Sequence, residues 1–240
     1  PMDRRDFSVG AITALAQLAC PTCARANHAS RGCNLRAAGS GNIAMPSQLP
    51  SSGIRELDEF CFKEVDILNQ VYGLRPTFGF LDDADAANAF AIDTSTDTQR
   101  PDGIVLFGVS LAHQADPQNN AGGKLKIAAI MAHEWGHLYQ YKQKFADSWG
   151  VRFELVADYM AGWHIAKTKS DSETVLAGAA ELFRSIGDNL FTSEDHHGTP
   201  RQRSEVFMSG AGFTRGGPGG REETVEGAFQ RGIGLVRWRR

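Results

Sequence analysis

The stretch that most constrains this chain is Leu125-Lys-Ile-Ala-Ala-Ile-Met-Ala-His-Glu-Trp-Gly-His-Leu-Tyr139, which carries H-E-x-x-H at His133 to His137. Its apolar spacing and lack of proline predict a helix. Residues four apart share a helix face, so His133 and His137 can offer imidazole nitrogens to one metal ion. Glu134 lies about 100° round from His133, beside such an ion without having to bind it, where a general base belongs. The bare pattern is also met by two ordinary histidines and a solvated glutamate. Two imidazoles bind a metal weakly, so the motif demands a third ligand downstream.

A second helix is expected over about Val151 to Lys167, with Glu154 and Asp158 one turn apart on the same face. Glu154 falls on a predominantly buried stripe, where an unpaired carboxylate is costly and a metal-bound one is satisfied. Zinc held for catalysis typically has three protein ligands and an open fourth position for water. His133, His137 and Glu154 make such a set for one zinc ion. Asp158 can accept a hydrogen bond from a ligand imidazole and fix its tautomer. Without the histidines, Glu154 and Asp158 would read as surface carboxylates on an amphipathic helix.

The remaining elements follow from pattern. Ile54, Leu57, Cys61, Val65, Leu68 and Tyr72 recur at three- and four-residue steps, a helix that Gly73 ends. Strands are expected at Arg75 to Leu81, Asn88 to Ile92 and Gly103 to Val109, with a loop from His113 to Gly123 leading into the motif helix. Ser170-Asp-Ser-Glu173 reads as a capping box, with Val175, Leu176, Ala179, Leu182, Phe183 and Ile186 as the buried stripe behind it. Thr199 and Pro200 open a further helix that ends near Gly210. The fold class is α+β, mainly helical, with a small sheet and the two metal helices in the core.

Ahead of this body, residues 1–26 fit a twin-arginine type export signal: Arg4-Arg5-x-Phe7, an apolar run from Val9, and an Ala24-Arg25-Ala26 cleavage site. That predicts a periplasmic or extracellular protein, or a cytoplasmic one if the segment is an ordinary helix. Cys20 offers a lipid anchor as the second choice. Cleavage after Ala26 would leave Cys33 and Cys61, as a disulfide or as two buried thiols. Residues 27–50 read as a linker, 51–212 as the folded domain, and 213–240 as a glycine-rich, basic, solvated tail. With 28 acidic and 25 basic side chains the net charge is −3, which gives no reason to expect nucleic acid. No run of about 18 apolar residues is present, so no transmembrane span is expected.

His133-Glu-x-x-His137 followed by Glu154-Leu-x-Ala-Asp158 resembles the gluzincin zinc metallopeptidases with an E-x-x-A-D ending. Asn88-Ala-Phe-Ala91, the Gly103-Ile-Val-Leu strand and Met131-Ala-His-Glu-Trp-Gly-His are similar to the HtpX and CAAX-protease type of minigluzincin. His137-Leu-Tyr-Gln140, Glu154 through Trp163, and His197-Gly-Thr-Pro-Arg-Gln-Arg203 resemble the YpfJ-like neutral zinc metallopeptidases of bacteria. The chain lacks the membrane spans of the first branch and has a shorter stretch between His137 and Glu154 than the second.

The resemblance implies a zinc endopeptidase of the gluzincin or minigluzincin fold acting on peptides or unfolded protein. It implies that Asn88, Ala89, Phe90 and Ala91 form a rim on which an extended substrate adds as another strand. It also implies that His197 and Arg203 hold the developing oxyanion, or that His197 gates the open zinc position, with His196 as its alternative. Glu134 would act as base and then acid. Four protein ligands would instead describe a latent or non-catalytic, zinc-stabilised binding or chaperone-like domain.

Overall fold

A computed structural model describes residues 48–83, 87–145, 150–169, 172–186, 197–216 and 222–237. The expected export signal, Cys20, Cys33, His196 and most of the expected linker lie outside these residues.

Helix α1 (Arg55–Tyr72) buries Cys61, Val65, Leu68 and Tyr72, the spacing of its apolar residues, and ends where Gly73 turns left-handed at φ 62°. Strands β1 (Gln48–Leu49), β2 (Thr77–Leu81), β3 (Ala89–Ile92) and β4 (Ile104–Gly108) form one sheet in the order β1-β2-β4-β3. The β2–β4 pair is parallel and the other two pairs are antiparallel. Alternation decides the faces: Phe78, Phe80, Ala89, Ala91, Val105 and Phe107 join the main core, while Leu81, Ile92 and Leu106 cluster on the opposite face. The architecture is α+β.

Five helices follow: α3 (Ala121–Lys142), α4 (Gly150–Thr168), α5 (Glu173–Ser185), α6 (Pro200–Gly216) and α7 (Val225–Val236), preceded by the short α2 (Val109–Ala115). Every residue from Ile127 to Gln140 in α3 and from Phe153 to Ala166 in α4 is buried. Helices buried on all sides belong at the centre of a fold, and here the other elements surround this pair. Gly136, inside the motif, lets them approach: a Cβ there would lie 3.2 Å from Ala157 Cα. Tyr72 of α1 locks the arrangement, its hydroxyl reaching Ala132 O at 3.2 Å and Met160 O at 3.3 Å.

Several expectations need correction. The end of the expected linker is structured, because Gln48 and Leu49 pair with Leu81 and Phe80. The expected loop begins too early, since α2 occupies Val109–Ala115; its first amides bond to Asp83, at 2.6 Å from Ser110 N and 3.0 Å from Leu111 N. Such a cap from a distant residue leaves no local signature. Helix α5 takes Ser172 as N-cap without a side-chain cap bond, and Val175 of the expected stripe is 39% exposed. Helix α6 starts as expected, with Thr199 and Gln202 capping each other reciprocally. It runs through Gly210 to Gly216, because Gly210 serves packing: a Cβ there would strike the Tyr159 carbonyl and crowd Trp163 N. The tail is not solvated throughout, since α7 buries Ala228, Phe229, Gly232 and Val236. The packed body therefore continues past residue 212. Among the described residues no helix is long and apolar enough to cross a membrane.

Candidate metal centre

Because α3 places His133 and His137 one turn apart and α4 crosses them at Glu154, the three side chains converge inside the protein. A ligand atom from each lies within 4.8 Å of the others. His133 Nε2 is 3.4 Å from Glu154 Oε2, and His137 Nε2 is 3.5 Å from Glu154 Oε1. The two imidazoles meet edge to face with centroids 4.4 Å apart. Exposure is 2% for His133, 0% for His137 and 1% for Glu154.

The outer nitrogen of each ring faces a side-chain oxygen. His133 Nδ1 lies 2.9 Å from Asp158 Oδ1. His137 Nδ1 lies 2.8 Å from Gln140 Oε1. With that contact on Nδ1, His137 Nε2 is left as a lone pair facing Glu154 Oε1. Burial, with His133 adding to it, pushes His137 down to about 3, so that ring is neutral at pH 7. Burial would raise Glu154, but His137, His133 and Arg203 together hold it well below the usual carboxylate range.

The His137 Nε2 lone pair and the Glu154 carboxylate turned toward one point repel unless a cation lies between them. His137 Nε2 has no hydrogen-bond partner within the protein, as a metal donor would not. The group can hold a metal ion, and its two nitrogens and one oxygen suit a borderline cation.

Asp158 is fully buried and joins this centre to α6. Arg203 grips it with two bonds, Nε to Oδ2 at 2.8 Å and Nη2 to Oδ1 at 2.7 Å. Arg203 Nη2 also stands 3.4 Å from Glu154 Oε2. The guanidinium thus links Asp158, which lies beside His133, to Glu154 of the ligand group itself. His197, half-buried ahead of α6, does not belong to the converging group, which has three members among the described residues. Glu134 is fully buried on α3 beside His133 and also lies outside that group. Asn88 precedes β3, whose Ala89, Phe90 and Ala91 form the outer strand of the sheet; β3 packs beside α3.

Two residues of the centre escaped the sequence reading. Gln140 carries His137, and Phe153 stacks on that ring at 4.9 Å and 7°. Gln140 lies three residues after His137 and so near its face of the helix, a signal the spacing does contain. Phe153 is visible only once α4 has docked.

No protein-family model matches the chain, and searches of curated proteins and of solved structures return no match.

Proposed function

We propose that this protein is a zinc-dependent endopeptidase of gluzincin type. The observation carrying that reading is the buried convergence of His133, His137 and Glu154 with Glu134 next to the first ligand. A zinc ion there would supply a Lewis acid, lowering the pKa of bound water toward about 7 and polarising a peptide carbonyl. His133 and His137 would face it with His137 as a neutral donor, and Glu154 would contribute the anionic charge. Glu134 is the group that would take the water proton and deliver it to the leaving amine. Asp158 and Arg203 orient the ligand set. The outer edge of β3, from Ala89 to Ile92, supports a peptide substrate, because an edge strand can pair with an extended chain.

A second reading, a latent or non-catalytic zinc-stabilised binding domain, is favoured by one observation: Glu134 and all three ligands are almost fully buried. Against it stand a ligand group of three among the described residues and the glutamate that a purely structural site does not need. The deciding measurement is zinc content and cleavage of a quenched peptide, with and without chelator, for the parent and Glu134→Gln. The peptidase reading expects unchanged zinc content in Glu134→Gln and a loss of turnover of at least about 100-fold. Equal cleavage by the variant removes Glu134 from its role. Zinc-loaded parent that cleaves nothing selects the second reading.

A further inference from the structure

We infer that Gln140 is a positioning residue of the metal centre: its amide fixes the proton of His137 on Nδ1 and ties that ring to the backbone beside Glu154. The inference deepens the zinc reading and rests on it only for the identity of the ion.

The orientation of this amide follows from its partners. Gln140 is fully buried, and its Nε2 donates to the backbone carbonyl of Phe153 at 2.7 Å. A carbonyl can only accept, so the NH2 end must face α4 and Oε1 must face His137. Oε1 in turn can only accept, so the 2.8 Å contact requires a proton on His137 Nδ1. Rotating the amide by half a turn would set oxygen against oxygen at the Phe153 carbonyl. The amide is therefore locked by the backbone, and the tautomer of His137 is locked by the amide. Nε2 keeps its lone pair, 3.5 Å from Glu154 Oε1.

The same residue of α4 closes the clamp from a second direction. The Phe153 ring stacks on the His137 imidazole almost in parallel, while its carbonyl anchors Gln140. Phe153 directly precedes Glu154. One side chain thus couples the ring of the second ligand to the backbone that presents the third. A ligand set held in this way loses little freedom when an ion arrives, and outer partners of ligand imidazoles typically change metal affinity 10–100-fold when removed.

Two substitutions separate the two contacts. Gln140→Met fills similar space with neither acceptor nor donor. Gln140→Glu keeps an acceptor for His137 but places a carboxylate against the Phe153 carbonyl. The experiment uses the full chain in metal-free form, with the ring nitrogens of His137 observed by NMR and zinc affinity measured by competition with a chromogenic chelator. The parent is expected to show His137 protonated on Nδ1. Gln140→Met is expected to populate the Nε2–H tautomer and to bind zinc roughly 10–100-fold more weakly. Gln140→Glu is expected to keep the parent tautomer and still bind more weakly. A parent protonated on Nε2 overturns the inference, as does Gln140→Met with parent tautomer and parent affinity. Should Gln140→Met not fold, the parent tautomer and Gln140→Glu decide. If the parent binds no zinc, the zinc reading fails, while the tautomer still tests Gln140.

Discussion

Arg203 shows how a single residue changes meaning once its partners are known. A cation downstream of two metal helices suggests a group that meets the substrate, yet its guanidinium is 2% exposed and spent on Asp158 and Glu154. Removing one member of a buried, bidentate pair leaves the other charge uncompensated, at about 3–5 kcal/mol. Arg203→Met is therefore expected to lower unfolding free energy by that order, read from urea denaturation of the metal-free protein. A loss below about 1 kcal/mol would show that Asp158 does not depend on it. Arg203→Lys should recover only part of the loss, because a single ammonium cannot reproduce two parallel bonds.

At the scale of elements, the crossing of α4 and α6 rests on two glycines. A Cβ on Gly162 would meet the Phe207 carbonyl, and one on Gly210 would meet the Tyr159 carbonyl. Helix propensity favours alanine over glycine by up to about 1 kcal/mol, so sequence alone would predict that both substitutions stabilise. The packing reverses the sign. Gly210→Ala is expected to destabilise by about 1–3 kcal/mol, since carbonyls of a neighbouring helix cannot move aside. Gly212→Ala, two positions on and facing open space, is expected to stabilise by about 0.5–1 kcal/mol. Thermal melts of the two variants should move in opposite directions; a common direction would refute the close crossing. Folding these helices together is what brings Arg203 to Asp158.

The whole molecule carries two consequences. Helix α7 buttresses the motif helix: Phe229 packs edge-on against Tyr139 and Phe145, and Tyr139 donates to Glu226 at 2.8 Å. Truncation after Gly216 should cost roughly 3 kcal/mol or more from Phe229 and Val236 alone, seen as a lower urea midpoint. An unchanged midpoint would make α7 an accessory. The second consequence concerns acid. Burial lowers His164 as well as His137, whereas an unfolded histidine titrates near about 6.5. Below that pH the unfolded chain takes up protons that the folded one refuses, so stability falls as pH falls. The slope is at most about 1.4 kcal/mol per pH unit for each such histidine, and for His137 the window extends down to about 3. For Glu64, burial acts upward, but His164 and Lys169 hold it low. Its stabilisation is present above the ordinary carboxylate range and is lost only as pH falls through its depressed value. Metal-free protein should therefore weaken already between pH 7 and 5. A flat urea midpoint across that interval would contradict the buried neutral histidines.

What the sequence determined by itself was local or periodic. The spacing of His133 and His137, the buried stripe carrying Glu154, the capping at Thr199 and the alternation in β2, β3 and β4 depend on neighbours along the chain, so pattern exposes them. Tertiary structure decided whatever depends on distant residues meeting. Asp83 caps α2 from another segment, Gly210 is a packing surface and not a helix end, α7 is drawn from an apparent tail onto α3 and α4, and Arg203 turns inward because Asp158 is there. The H-E-x-x-H helix fixed two donors by its own geometry. The proton on His137 and the distance to Glu154 were set by Gln140 and Phe153, where α4 comes to rest against it.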